Sequence, residues 1–211
     1  LLLLLSFFIL LLPPSMKVNV KSNIKKVTKG ITKTQKKQIP FATANAINKT
    51  LFQLRKEMAK QTEKKLDRPT PFTQKGFLVD KAKKNKLTGV LFVKEKVEKY
   101  LKFQIDGGVR SGNPYVPVPY TVNKKLNKYG NIVGKRSGLI KKSNQFIGEI
   151  NGVNGVWERR ADNKVKLLIG FSRSVSYEPK FPFYKIASNF AASKFNKNLI
   201  EKLSAAFKTA K

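Results

Sequence analysis

The strongest constraint on this chain lies between Pro40 and Pro69. There Ala44, Ile47, Leu51, Leu54, Met58 and Leu66 recur at steps of three, four or a multiple of four, while Lys49, Arg55, Lys56, Lys60 and Lys64 fall largely off that stripe. One apolar stripe at this period is the pattern of an amphipathic helix laid against a core. Pro40 suits the first turn of such a helix, where its missing N–H costs nothing, so a long helix is expected over about Phe41 to Lys65. The stretch "LDRPTPFTQKGF", Leu66 to Phe77, then ends it. Pro69 and Pro71 withhold backbone donors and bias the residues before them toward extended geometry, which predicts a bend leading into a strand.

Downstream, "GFLVDKA" and "TGVLFVKE" are short apolar runs separated by "KKNKL", the pattern of a β-hairpin. "VEKYLKFQID" predicts a short helix over Val97 to Asp106, with Val97, Leu101 and Ile105 on one side and Gly107-Gly108 as its stop. Residues 107–145 hold six glycines, the proline-spaced "NPYVPVPY" and no acidic residue, and are expected to form a flexible basic loop that orders against a partner. "FIGEI", "NGVWERR" and "NKVKLLIGFS" predict a β-meander; Val165, Leu167, Ile169 and Phe171 alternate, and Asp162-Asn163 makes a turn. After Pro182 a closing helix is expected to bury Phe183, Ile186, Phe190, Leu199 and Leu203. The order helices, strands, helix, strands, helix gives an α+β class with a largely antiparallel sheet, expected as a single domain over residues 16–211. Its 211 residues, 41% hydrophobic with 15 Phe, suffice for a core.

Charge narrows the partners. Lys and Arg number 44 against 12 Asp and Glu, a formal net charge of +32, so the folded chain calls for a polyanion or an acidic protein neighbour. From Met16 to Lys56 there is no acidic residue, and Lys17, Lys21, Lys25, Lys26, Lys29, Lys33, Lys36 and Lys37 lie within it. This segment is read as a short helix with a solvated basic face, or as a contact surface for nucleic acid or an acidic partner. Residues 1–15, "LLLLLSFFILLLPPS", are read as an upstream extension of the reading frame before Met16, with a cleaved signal as the alternative. The run is too short for a membrane-spanning helix, which needs about 20 apolar residues, and no membrane partner is expected.

No catalytic constellation emerges. The chain has no cysteine and no histidine, which removes thiolate nucleophiles, Cys/His zinc sites and the commonest general base. "GKRSG" and "DGGVRSG" lack the spacing of phosphate or dinucleotide loops and are read as turns. The acids Glu57, Glu63, Asp67, Asp80, Glu95, Glu98 and Asp106 are interspersed with lysines; Asp67 is expected to pair with Arg68 or cap a helix end. Trp157, beside Arg159 and Arg160, is read as a core tryptophan flanked by outward arginines, against the sharper reading of a stacking platform. No enzyme activity, cofactor or metal is expected.

Several stretches together carry a family resemblance: "IPFATANAINKT", "LDRPTPFT", "YLKFQIDGGVR", "GVWERR" and "SVSYEPKFPFYKIASNFAASKF". In order and approximate interval they resemble a family of small bacteriophage and prophage tail proteins, similar to minor tail protein Z and the tail-completion proteins of long-tailed phages. The resemblance runs from about Gln38 to Phe195. The chain departs from that family in its high lysine content and leucine-rich leader. The resemblance implies a structural role in the virion tail, in tail completion or head-tail joining. It also implies other tail or connector proteins as partners and a homo-oligomeric ring through which DNA passes. It marks Arg68, Pro69, Pro71, Phe72, Gly107, Gly108, Trp157, Phe181, Pro182 and Phe183 as structural signature positions. Arg68 and Phe72 are expected to fix the helix against the sheet. Lys25, Lys26, Lys33, Arg110, Lys124, Lys125, Arg136, Arg159 and Arg160 are the candidate contacts to a partner or, without sequence preference, to DNA. Two other classes stay open: a stand-alone basic nucleic-acid-binding protein, and a metal-dependent nuclease using Asp67, Asp80 and Asp106.

Overall fold

A computed structural model describes residues 17–21, 33–119, 126–132, 140 and 142–209. The chain forms two compact units, one within Leu1–Ile105 and Phe181–Lys211, the other within Asp106–Lys180. The class is α+β, with two antiparallel sheets.

The first unit is built on α1 (Lys33–Lys65) and α4 (Phe183–Thr209), which pack along each other and against a three-stranded sheet of β1 (Lys17–Lys21), β3 (Thr88–Val93) and β2 (Phe77–Asp80), in that order. The expected stripe is the core: Ala44, Ile47, Leu51, Leu54 and Met58 are buried, with Leu66 packed at its edge. The hairpin forms as expected, with Phe77 opposite Val93 and Val79 opposite Leu91. In β3 the residues alternate half-buried and buried, so Gly89, Leu91 and Val93 face the helices. α3 (Glu95–Ile105) buries Val97, Leu101 and Ile105 in the same core. In α4, Phe183 and Leu199 are buried and Ile186, Phe190 and Leu203 pack around them, with Ala187, Ala191 and Phe195 completing the contact. Phe77, Phe181 and Phe183 form an aromatic cluster with centroids 6.2–6.4 Å apart.

In this unit three local expectations change. α1 starts at Lys33 rather than near Phe41 and runs through Pro40. An interior proline costs about 3 kcal/mol, and burial of Ile39 and Ala42 on either side offsets it. Lys17–Lys21, read within a basic helix, is a strand paired antiparallel to β3, Val18 opposite Leu91. Its period-two sequence "KVNVK" suits that role. The corner after α1 is not simply extended: Pro71–Gln74 forms a one-turn helix, α2, because Thr70 accepts from the Thr73 N–H as N-cap and Pro71 sits in the first turn.

The second unit is a four-stranded antiparallel sheet in the order β4 (Gly108–Pro119), β7 (Val165–Tyr177), β6 (Val153–Arg159), β5 (Gln145–Ile150). β5, β6 and β7 are the expected meander. Its turn at Asn163 takes φ 59°, with the Lys164 N–H donating to the Asp162 carboxylate. Strict alternation in β7 is broken by a register shift opposite Val156 and Trp157: Ile169 pairs with Val156 and Leu167 with Trp157. The extra residue, Leu168, is buried as well as Ile169, while Val165 stays 41% exposed.

The stretch Gly108–Pro119, expected within a flexible loop, is a strand. Pro117 and Pro119 stand opposite Phe171 and Ile169. Being two residues apart they remove donors from one edge only, so pairing on the other edge survives.

Candidate partner interface

The proline corner was expected to pin helix to sheet, and its side chains do otherwise. Phe72 is 51% exposed, so it is not the wedge between α1 and the sheet. Arg68 turns its chain out of the helix with φ 44° and makes a forked ion pair with Asp67, at 2.9–3.2 Å, on the surface. That carboxylate holds the Arg68 guanidinium above its ordinary pKa, first by hydrogen bonding and then by charge. The corner is held by hydroxyls instead. Buried Thr73 joins Thr70 at 3.0 Å and the Tyr100 hydroxyl of α3 at 2.8 Å. α2 docks on α3 through this network because a buried hydroxyl needs a partner. Phe181 and Phe183 are core residues, and Pro182 starts α4, its carbonyl accepting from the Ile186 N–H at 3.0 Å.

The expected cationic contacts separate into engaged and unengaged groups. Arg159 lies over the Phe146 ring, 4.3 Å from its centroid, and Arg160 is 3.6 Å from the Asp162 carboxylate. Trp157 is a core tryptophan, 8% exposed, whose Nε1–H donates to the Gly148 carbonyl at 3.1 Å. Lys33 is exposed at the start of α1. Lys25, Lys26, Lys124, Lys125 and Arg136 lie outside the described residues, as do residues 1–15. Gly107 and Gly108, with φ of 73° and 105°, stop α3 as expected.

Arg110 is exposed on β4, directly opposite Val175 of β7. Directly opposed residues share a sheet face, and so do residues two apart in one strand. Arg110, Arg173 and Val175 therefore line one face, with Phe171 next along it. Neither arginine makes an ion pair among the described residues. Arg173 escaped the sequence reading, yet "FSRSVSY" carries a plain signal: Phe171, Arg173, Val175 and Tyr177 alternate with three serines.

Two of the clefts formed by the described residues are wide and open. One, in the second unit, has a volume of about 670 Å³ and is lined by the unbroken run Gly170–Val175 of β7, by Gly152, Val153 and Asn154, and by Tyr115 and Val118 of β4. Tyr115 and Phe171 stack there with centroids 6.1 Å apart. The other, in the first unit, is about 620 Å³ and gathers Asp80, Glu95 and Glu98 around Val79, Val90, Phe92 and Val93. Glu95 and Glu98 lie in the first turn of α3, where the helix dipole favours acids, and Glu95 pairs with Lys99 at 3.0 Å.

Among the described residues no three His, Cys, Asp or Glu side chains gather where they could hold a metal ion, and no helix is long and apolar enough to cross a membrane. Asp67, one of the three acids considered for a nuclease, is committed to Arg68. No family model, curated protein or solved structure matches the chain.

Proposed function

We propose that this chain is a structural assembly protein of the phage or prophage tail, of the tail-completion type. In this reading it acts through protein–protein contacts in a homo-oligomer within the virion and performs no catalysis. The observation that carries the assembly part is the acid-lined apolar cleft on a chain with 44 basic and 12 acidic residues. Asp80, Glu95 and Glu98 around Val90 and Phe92 complement the basic surface that a second copy presents, a head-to-tail contact of the kind that closes rings. Exposed Phe41, Phe72 and Ile200 supply apolar surface on the same unit. The tail assignment rests on the ordered stretches that resemble the tail-protein family.

The test is the solution mass at low salt, the mass after raising salt from about 0.1 M to about 0.5 M, and the presence of the protein in purified particles. An oligomer is expected that dissociates with salt and with Asp80→Lys/Glu95→Lys. A chain that is monomeric at low salt and absent from particles would overturn the reading. A second reading, a sequence-nonspecific nucleic-acid-binding protein, is favoured by Arg110 and Arg173 on one sheet face, neither of which makes an ion pair among the described residues. It requires duplex binding by the monomer with a steep salt slope.

A further inference from the structure

β7 is thirteen residues long, but β6 pairs with it only as far as Gly170. From Phe171 to Tyr177 its only strand partner among the described residues is β4. The parity of the ladder tells which groups are left over. Pro117 and Pro119 have no N–H to give, so their pairs with Phe171 and Ile169 are the non-hydrogen-bonded ones. Gly170 and Ser172 then bond to β4, and the N–H and C=O groups of Phe171, Arg173 and Val175 turn to the opposite edge. The cleft of about 670 Å³ runs along that edge, since six consecutive residues from both faces of the strand line it. Natural sheets blunt exposed edges, and β4 does so on its outer side with Pro117 and Pro119. The β7 edge carries no proline, and its one charge over this stretch, Arg173, repels a basic strand while leaving the edge open to an acidic one.

We propose that this edge accepts an extended, acidic segment of another protein, which adds to the sheet as a strand beside Phe171–Val175. Main-chain hydrogen bonds supply affinity and alternate side chains supply selectivity. On the face shared by Phe171, Arg173 and Val175, the docked segment places a carboxylate beside Arg173 and apolar side chains two residues to each side, against Tyr115/Phe171 and Val175. Arg110, diagonal to Arg173, adds a second cation. A second copy of this chain does not fit that description, because its acid-bearing strands β2, β5 and β6 already lie in its own sheets and β7 itself carries no acidic residue. A nucleic-acid phosphate can accept from the N–H groups of this edge but has no donor for its alternating C=O groups, which a peptide strand does have. The inference extends the assembly reading by naming one surface and the partner chemistry, but it stands or falls separately.

The probe is a blocked peptide about seven residues long, enough to span the open stretch, with sequence Ser-Val-Thr-Glu-Thr-Val-Ser. Binding is followed by amide exchange of the full chain and by peptide fluorescence anisotropy. Protection confined to Phe171–Val175 is expected. N-methylation of one alternate set of peptide residues should abolish binding and of the other set leave it intact. Arg173→Glu should weaken binding about tenfold and restore it for the peptide with Lys in place of Glu. Equal binding of both methylated peptides, or no charge swap at Arg173, overturns the proposal. So does an oligothymidylate that protects Phe171–Val175 where the peptide does not, which makes the occupant nucleic acid. A monomer absent from particles that still binds the peptide refutes tail assembly and leaves the edge site standing.

Discussion

Gly89 of β3 sits under α1 with no room for a side chain. A methyl placed on it would lie 2.5 Å from Leu51 Cδ1, 3.0 Å from Ile47 Cγ2 and 3.3 Å from the Ala82 nitrogen. Gly89→Ala therefore overpacks a fully buried contact at about 2 kcal/mol, less about 0.5–1 kcal/mol recovered from the unfolded chain's lost freedom. Leu51→Ala alone removes a fully buried side chain at about 3 kcal/mol. Were the two independent, the double variant would lose about 4–4.5 kcal/mol; because the new methyl enters the space left by Leu51, a loss of about 2–3 kcal/mol is expected, a coupling of about 1–2 kcal/mol. All four helices among the described residues belong to the first unit, so urea unfolding followed by helical ellipticity reads this core selectively. Strictly additive losses would refute the packing of β3 on α1 at Leu51.

The remaining predictions test other parts of the molecule. Gly155→Ala should cost more than Gly89→Ala, about 3 kcal/mol or more, because its methyl would meet the Ile169 carbonyl oxygen at 2.3 Å and backbone cannot give way. The one tryptophan, Trp157, reports that loss by fluorescence, and unchanged unfolding of the second unit would contradict the close approach of β6 and β7. Phe72→Ala should leave stability within about 0.5 kcal/mol, since the ring is half exposed, while a larger loss would revive the wedge role. The Glu201 carboxyl is held below the ordinary carboxylate range, chiefly by its hydrogen bond from Lys49. Its folded pKa is depressed, so the stability it contributes is present above the unfolded carboxylate's pKa and is lost as pH falls through the folded value. Wild type should thus lose more stability than Lys49→Met between neutral and acidic pH; identical pH profiles would show that the pair contributes nothing.

Much of the architecture was legible because it follows from short-range periodicity. The α1 stripe, the β2–β3 hairpin, α3 with its glycine stop, the meander and α4 all arise from spacing that any tertiary context would exploit. Where the reading failed, burial reversed a local preference. Pro40 reads as a helix start until Ile39 and Ala42 are seen buried around it. "NPYVPVPY" reads as a loop until β7 is seen to need only the edge its prolines leave free. Phe72 reads as a core residue because aromatic residues usually are, and only the Thr70–Thr73–Tyr100 hydroxyl network shows that the corner is held without it. Arg173 is legible in "FSRSVSY", whose alternation continues the strand beyond Ser172.

By itself, then, the sequence determined the α+β class, the core-facing residues of the helices, the absence of cysteine and histidine, and a formal net charge of +32. Those depend on composition and on neighbours three or four residues apart. Only the tertiary structure decided that Asp80, Glu95 and Glu98 share one cleft, that Arg110 and Arg173 share one sheet face, and that β7 runs on past its last pair with β6 at Gly170 with no other described strand on that side. These are pairings between distant segments, set by strand register and helix packing, and register between remote strands leaves no periodic trace in either strand alone.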